Sequence, residues 1–104
     1  MANNKTLNEI KEKIAEKKDF LEKVYGVREI GIFGSVVRGE DTPLSDVDLL
    51  FDIEKKKENT ISVFDLVDMK LYLENLLGKT VDIVEKNSVK PKLKQKIFNE
   101  VIMI

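Results

Sequence analysis

The stretch Gly34-Ser35-Val36-Val37-Arg38-Gly39-Glu40-Asp41-Thr42-Pro43-Leu44-Ser45-Asp46-Val47-Asp48-Leu49-Leu50 links two apolar segments and plants charge inside the second. Before it, residues 27–33 are β-branched and aliphatic, the pattern of a strand. After it, residues 46–53 alternate with period two. Val47, Leu49, Phe51 and Ile53 face one way, and Asp46, Asp48, Leu50 and Asp52 face the other. Between the two strands Gly34-Ser35 interrupts the first, a short turn or helix follows, and Asp41-Thr42-Pro43 forms a turn.

Working outward, Thr6-Leu7-Asn8-Glu9 has the form of a capping box. Leu7, Ile10, Ile14, Leu21 and Val24 then recur at helical spacing, and Gly26 supplies a stop. Lys55-Lys56-Lys57-Glu58-Asn59 reads as a charged surface loop. Residues 62–77 read as a helix with Phe64, Val67, Leu71 and Leu76 as its core stripe and Gly78 as its stop. Residues 80–85 form a third strand, with Thr80, Asp82 and Val84 on one face. Pro91 suits the first turn of a last helix running to Glu100. The apolar tail of residues 101–104 is expected to pair or pack within its own domain, the alternative being an apolar surface for a partner. This order predicts an α/β (α+β) fold, a small mixed β-sheet with helices packed on one face, in a single domain spanning residues 1–104.

Composition narrows the chemistry. The 104 residues are 36% charged and 42% hydrophobic, which excludes a disordered chain. The net charge of −1 argues against clamping a long nucleic acid through its phosphates. Without cysteine there is no disulfide framework and no thiolate metal site. Without histidine the commonest general base and zinc ligand are missing, so any metal must sit on oxygen, as magnesium does. No apolar run approaches the ~18 residues of a membrane span or the core of a signal peptide, so the cytoplasm is the expected location.

Asp46 and Asp48 are the informative pair. Aspartate is disfavoured within strands. At i and i+2 the two project from one face, ~6.6 Å apart along the strand, and oppose each other unless a cation lies between. Asp82 sits mid-strand between valine and isoleucine, where a carboxylate has little structural reason to be. If its strand neighbours that of Asp46, three carboxylates converge on metal. Asp52 reads instead as a strand-end or solvated residue. Gly34-Ser35 at a strand-to-helix turn offers N–H groups and a hydroxyl to an anion. Arg38 follows one turn later, suited either to phosphate or to an ion pair with Glu40 or Asp41. Lys90, Lys92, Lys94 and Lys96 read as a solvated helix face, and Tyr25 and Tyr72 as packing residues. Gly-Ser, ten residues, then Asp-x-Asp arises by chance in roughly one such chain in a thousand.

The pattern resembles the nucleotidyltransferase signature of the DNA polymerase β superfamily. The chain as a whole is similar to the minimal nucleotidyltransferases, antitoxin partners of HEPN-domain toxins. The resemblance rests on Gly34-Ser35, the Arg38-Gly39 that follows, Ser45 before Asp46, and Val-Asp-Ile-Val around Asp82. It implies a polymerase-β-palm-like fold and transfer of AMP from ATP to a tyrosine of the toxin. It further implies that Asp46 and Asp48 bind two Mg2+ ions, that Asp82 completes the second metal site, and that Gly34 and Ser35 hold the triphosphate. Arg38 is the further nucleotide-binding candidate. Asp82 is the candidate to take the acceptor's proton. The alternatives are a small-molecule nucleotidyltransferase of the aminoglycoside-modifying kind and a non-catalytic antitoxin that acts by binding alone.

Overall fold

The computed structural model describes residues 5–55 and 60–104. Most of the loop expected around Lys56 and Glu58 therefore lies outside the described residues. Helices α1 (Lys5–Glu16) and α2 (Lys18–Tyr25) lead into strand β1 (Val27–Phe33). A one-turn helix α3 (Ser35–Arg38) follows, then β2 (Val47–Ile53), α4 (Val63–Leu77), β3 (Val81–Glu85), α5 (Pro91–Glu100) and β4 (Ile102–Met103). The strands form one mixed sheet in the order β3-β2-β1-β4. β1 runs antiparallel to both β2 and β4, whereas β2 and β3 are parallel and joined by the α4 crossover.

Helices α1, α2 and α4 share one face of the sheet, as expected. Ile14, Leu21, Met69 and Leu73 meet Ile30, Ile32, Val47 and Leu49 there, all but fully buried. Each such side chain contributes about 1.5–3 kcal/mol on burial. Helix α5 adds a smaller cluster on the opposite face, where Ile97 packs with Leu50 and Val89. That cover explains why Leu50 is as buried as its inward-facing neighbours.

Four expectations are corrected. Thr6 already lies inside α1, so it is not a helix cap. The first helix is two helices, because the chain turns at Lys17, whose N–H reaches back only to Ile14 O. The turn resets the helical phase, so α2 buries Leu21 and Tyr25, four residues apart, and leaves Val24 exposed. In α4 the core stripe is Met69, Leu73 and Leu77, while Phe64 is 85% exposed and Val67 and Leu71 also face outward. This helix is apolar around most of its circumference, so period alone does not choose the inner face. Asp52 is not solvated: it is 5% exposed, and its Oδ2 accepts from Arg28 Nε at 3.1 Å and from Arg28 Nη2. Tyr25 is buried as a packing residue, with its hydroxyl donating to Asp68 Oδ2 at 2.6 Å. Burial, then that carboxylate, pushes its pKa up to about 12.

The apolar tail pairs within the domain. Ile32 faces Ile102, Gly31 faces Met103, and Ile104 N–H donates to Ile30 O at 2.9 Å. The docking depends on Gly31, where a Cβ would stand 2.8 Å from both Met103 Sδ and Val101 Cγ2. Gly31→Ala is therefore expected to lower the unfolding free energy by about 1–3 kcal/mol, the usual cost of overpacking. Equilibrium denaturation in urea measures it. A variant as stable as wild type would show that the tail does not need this close approach.

Candidate active site

The site lies where the first three strands bring their functional residues together. β2 and β3 pair in parallel with Val47 opposite Val81, Asp48 opposite Asp82 and Leu49 opposite Ile83. In-register residues of adjacent strands share a face, so Asp48 and Asp82 stand side by side. β1 closes the other flank, with Phe33 opposite Asp48. Phe33 leads directly into Gly34, so the Gly-Ser turn sits beside the Asp48 carboxylate. Asp46 lies just before β2. Its Oδ1 accepts from the Thr80 hydroxyl, and the next residue's N–H, that of Val47, donates to Thr80 O at 2.9 Å. The turn ahead of Asp46 is closed by Thr42 N–H donating to Ser45 Oγ at 2.8 Å and Ser45 N–H donating to Thr42 O at 2.9 Å.

The fit between Gly34 and Asp48 is tight. Gly34 has φ +82°, and a Cβ built there would stand 2.1 Å from Asp48 Oδ2. Glycine is required twice over, for its backbone conformation and for the space. Asp48 is half-buried. Burial, then the charges of Asp82 and Asp46, raise its carboxyl above the ordinary aspartate range, against a smaller lowering by Arg38. Asp46 and Asp82 are exposed.

Among the described residues no three such groups close into a tight ligand cage. The aspartates form an open set whose charges repel. Their chemistry fits a hard divalent cation: all donors are carboxylate oxygens, two are fixed in register on adjacent strands, and Arg38 offsets their mutual repulsion only in part. The predicted triad of Asp46, Asp48 and Asp82 is thus brought together at one end of the sheet, beside Gly34 and Ser35.

Arg38 makes the expected ion pair with Glu40 and a second one with Glu100. Its Nε donates to Glu40 Oε1 at 2.6 Å, and its Nη1 donates to both carboxylate oxygens of Glu100 at 3.0 Å each. Glu100 Oε1 also accepts from Gly34 N–H at 2.9 Å. Burial alone would raise the Glu100 carboxyl, but the Gly34 N–H and the Arg38 guanidinium outweigh it and hold it below the ordinary glutamate range. The sequence reading missed Glu100. A signal existed: it is the sole acid of α5, whose other charges are lysines, and it ends the helix, where the macrodipole disfavours a negative charge.

Comparison with known proteins agrees with this geometry. The profile of the nucleotidyltransferase domain matches residues 7–104, and this chain belongs to that family. It is 41% identical over 99 residues to the protein adenylyltransferase MntA of Thermococcus cleftensis, covering 95% of this chain and 96% of the relative. A solved structure provisionally described as a minimal nucleotidyltransferase superposes with a TM-score of 0.69 at 34% identity, covering 89% of this chain and 93% of the other. A toxin–antitoxin crystal structure with AMP-PNP shares the fold, with a TM-score of 0.69 at 22% identity over 88% of this chain and 69% of the other.

Gly34→Ala is expected to destabilise the fold by about 1–3 kcal/mol, through strained φ and collision with Asp48. In an Asp48→Ala background the contacts with Oδ2 and Cγ are gone and only Cβ, at 3.2 Å, remains, so the same change should cost less. A denaturation double-mutant cycle reads the difference. Additive costs would show that Gly34 and Asp48 are not sterically coupled.

Proposed function

We propose that this chain is a magnesium-dependent protein adenylyltransferase of the cytoplasm. It transfers AMP from ATP to a tyrosine hydroxyl of a HEPN-domain toxin partner and so neutralises that toxin. The observation that carries this reading is the in-register pair Asp48 and Asp82, with Asp46 alongside and the Gly34-Ser35 turn against it. The Thermococcus relative, itself named a protein adenylyltransferase, supports the choice of acceptor class.

Asp46 and Asp48 would hold two Mg2+ ions and Asp82 would complete the second site. Bound there, magnesium neutralises charge on the triphosphate and favours ionisation of the acceptor hydroxyl. The Ser35 hydroxyl and the turn that carries it would hold the triphosphate. The acceptor oxygen forms a bond to the α-phosphorus as the bond to pyrophosphate breaks. Asp82, exposed on the edge strand β3, takes the hydroxyl proton, a role no imidazole can fill in this chain. The acceptor must be brought by the partner, because the site lies open at one end of the sheet.

With Mg2+, labelled ATP and the co-expressed partner, label should appear on a partner tyrosine, and Asp48→Asn should abolish it. Transfer at the wild-type rate by both Asp46→Asn and Asp48→Asn would overturn the metal reading.

A thermal-shift experiment tests the site without the partner. Asp46→Asn keeps an oxygen for the Thr80 hydroxyl and removes one repelling charge. The metal-free variant should be as stable as wild type or more so. Mg2+ with ATP should raise the wild-type melting temperature and move that of Asp46→Asn far less. Loss of more than about 1 kcal/mol in the metal-free variant would make Asp46 a structural residue.

A further inference from the structure

One polar cluster near the carboxylates is not used by the proposed chemistry. Glu100, the last residue of α5, reaches across 66 positions to Gly34 N–H and across 62 to Arg38. Its side chain is only 18% exposed. Its two oxygens accept three hydrogen bonds, one from the Gly34 N–H and two from Arg38 Nη1. These contacts grip the Gly34–Arg38 turn at both ends. Ser35 lies between the gripped points, and Gly34 is the residue whose missing side chain makes room for Asp48.

Two contributions oppose this placement, although its hydrogen bonds outweigh them. A carboxylate at a helix C-terminus opposes the macrodipole. This one also adds negative charge close to Asp48, whose carboxyl it helps to raise. What the arrangement does provide is a fixed turn. Arg38, held by Glu100 on one side and Glu40 on the other, has its guanidinium charge already matched by carboxylates. These contacts use its Nε and Nη1.

We infer that Glu100 is a positioning residue for nucleotidyl transfer: it holds the Gly34–Arg38 turn so that Ser35 and Asp48 are set for the nucleotide. The inference rests on reading the site as one for magnesium and ATP. It also ties the C-terminal segment to the site, because Glu100 is followed at once by the residues that dock β4 on β1.

The test measures binding of AMP-PNP in excess Mg2+ by calorimetry, alongside adenylyl transfer and urea denaturation, on the full chain. Glu100→Ala should weaken nucleotide binding about tenfold and raise KM for ATP to match. Glu100→Gln keeps an oxygen for the Gly34 N–H and Arg38, so it should recover most of the affinity, and it keeps the test open if Glu100→Ala fails to fold. Glu12→Gln, an exposed acid on α1, controls for charge removal and should bind as wild type. Glu100→Ala with unchanged affinity would overturn the proposal, as would tighter affinity, which would make Glu100 a competitor for the Gly34 amide. If wild type binds no AMP-PNP with Mg2+, the parent reading itself falls. A wild type that binds, beside a Glu100→Ala that binds equally, removes only the role of Glu100.

Discussion

Asp48 and Gly34 compete for one volume, and the site exists because Gly34 yields it. A Cβ at position 34 would fall 2.1 Å from the Asp48 carboxylate. That contact joins the end of β1 to β2, fixes where the Gly-Ser turn begins, and sets the distance between turn and carboxylates. Asp82 depends on the same pair through strand register, because it stands opposite Asp48 in the parallel ladder. A slip of one residue would send Asp82 to the other face, into the apolar layer beneath the helices.

The burden of stability is carried on that other face. Ile14, Leu21, Leu49, Met69 and Leu73 are essentially inaccessible there, and the dense packing holds the strands in register. Three mutually repelling carboxylates can then be tolerated on the opposite face. A 104-residue chain has little stability to spare, so strain of this kind must be balanced by close packing elsewhere. The division is not complete. Helix α5 covers part of the acidic face through Ile97 and Leu50, and the same helix delivers Glu100 to the turn.

Two mismatches between sequence and structure share one cause. In α4 the apolar residues do not favour a single stripe, and the side turned to the core is settled by what β3, α1 and α2 offer it. Phe64 and Met69 are both reasonable core residues in one dimension, yet Met69 is wholly buried and Phe64 stands out in solvent. Asp52 reads as a solvated end-of-strand acid until Arg28, 24 residues earlier, is found against it across the antiparallel pair.

The sequence by itself determined the strands, the turn between them, the helix stops at Gly26 and Gly78, and the acidic triad with its Gly-Ser partner. These are local signals: periodicity, turn chemistry, and aspartates where a strand should be apolar. Tertiary structure alone decided that the β2 and β3 ladder sets Asp48 against Asp82. It also decided which side of α4 is inner, that Arg38 is held by Glu100 and Glu40, and that Glu100 reaches the Gly34 amide. The reason is physical. Pairing across 34 positions, or across 66, depends on which surfaces meet once the whole core closes, and no residue within reach along the chain records that choice.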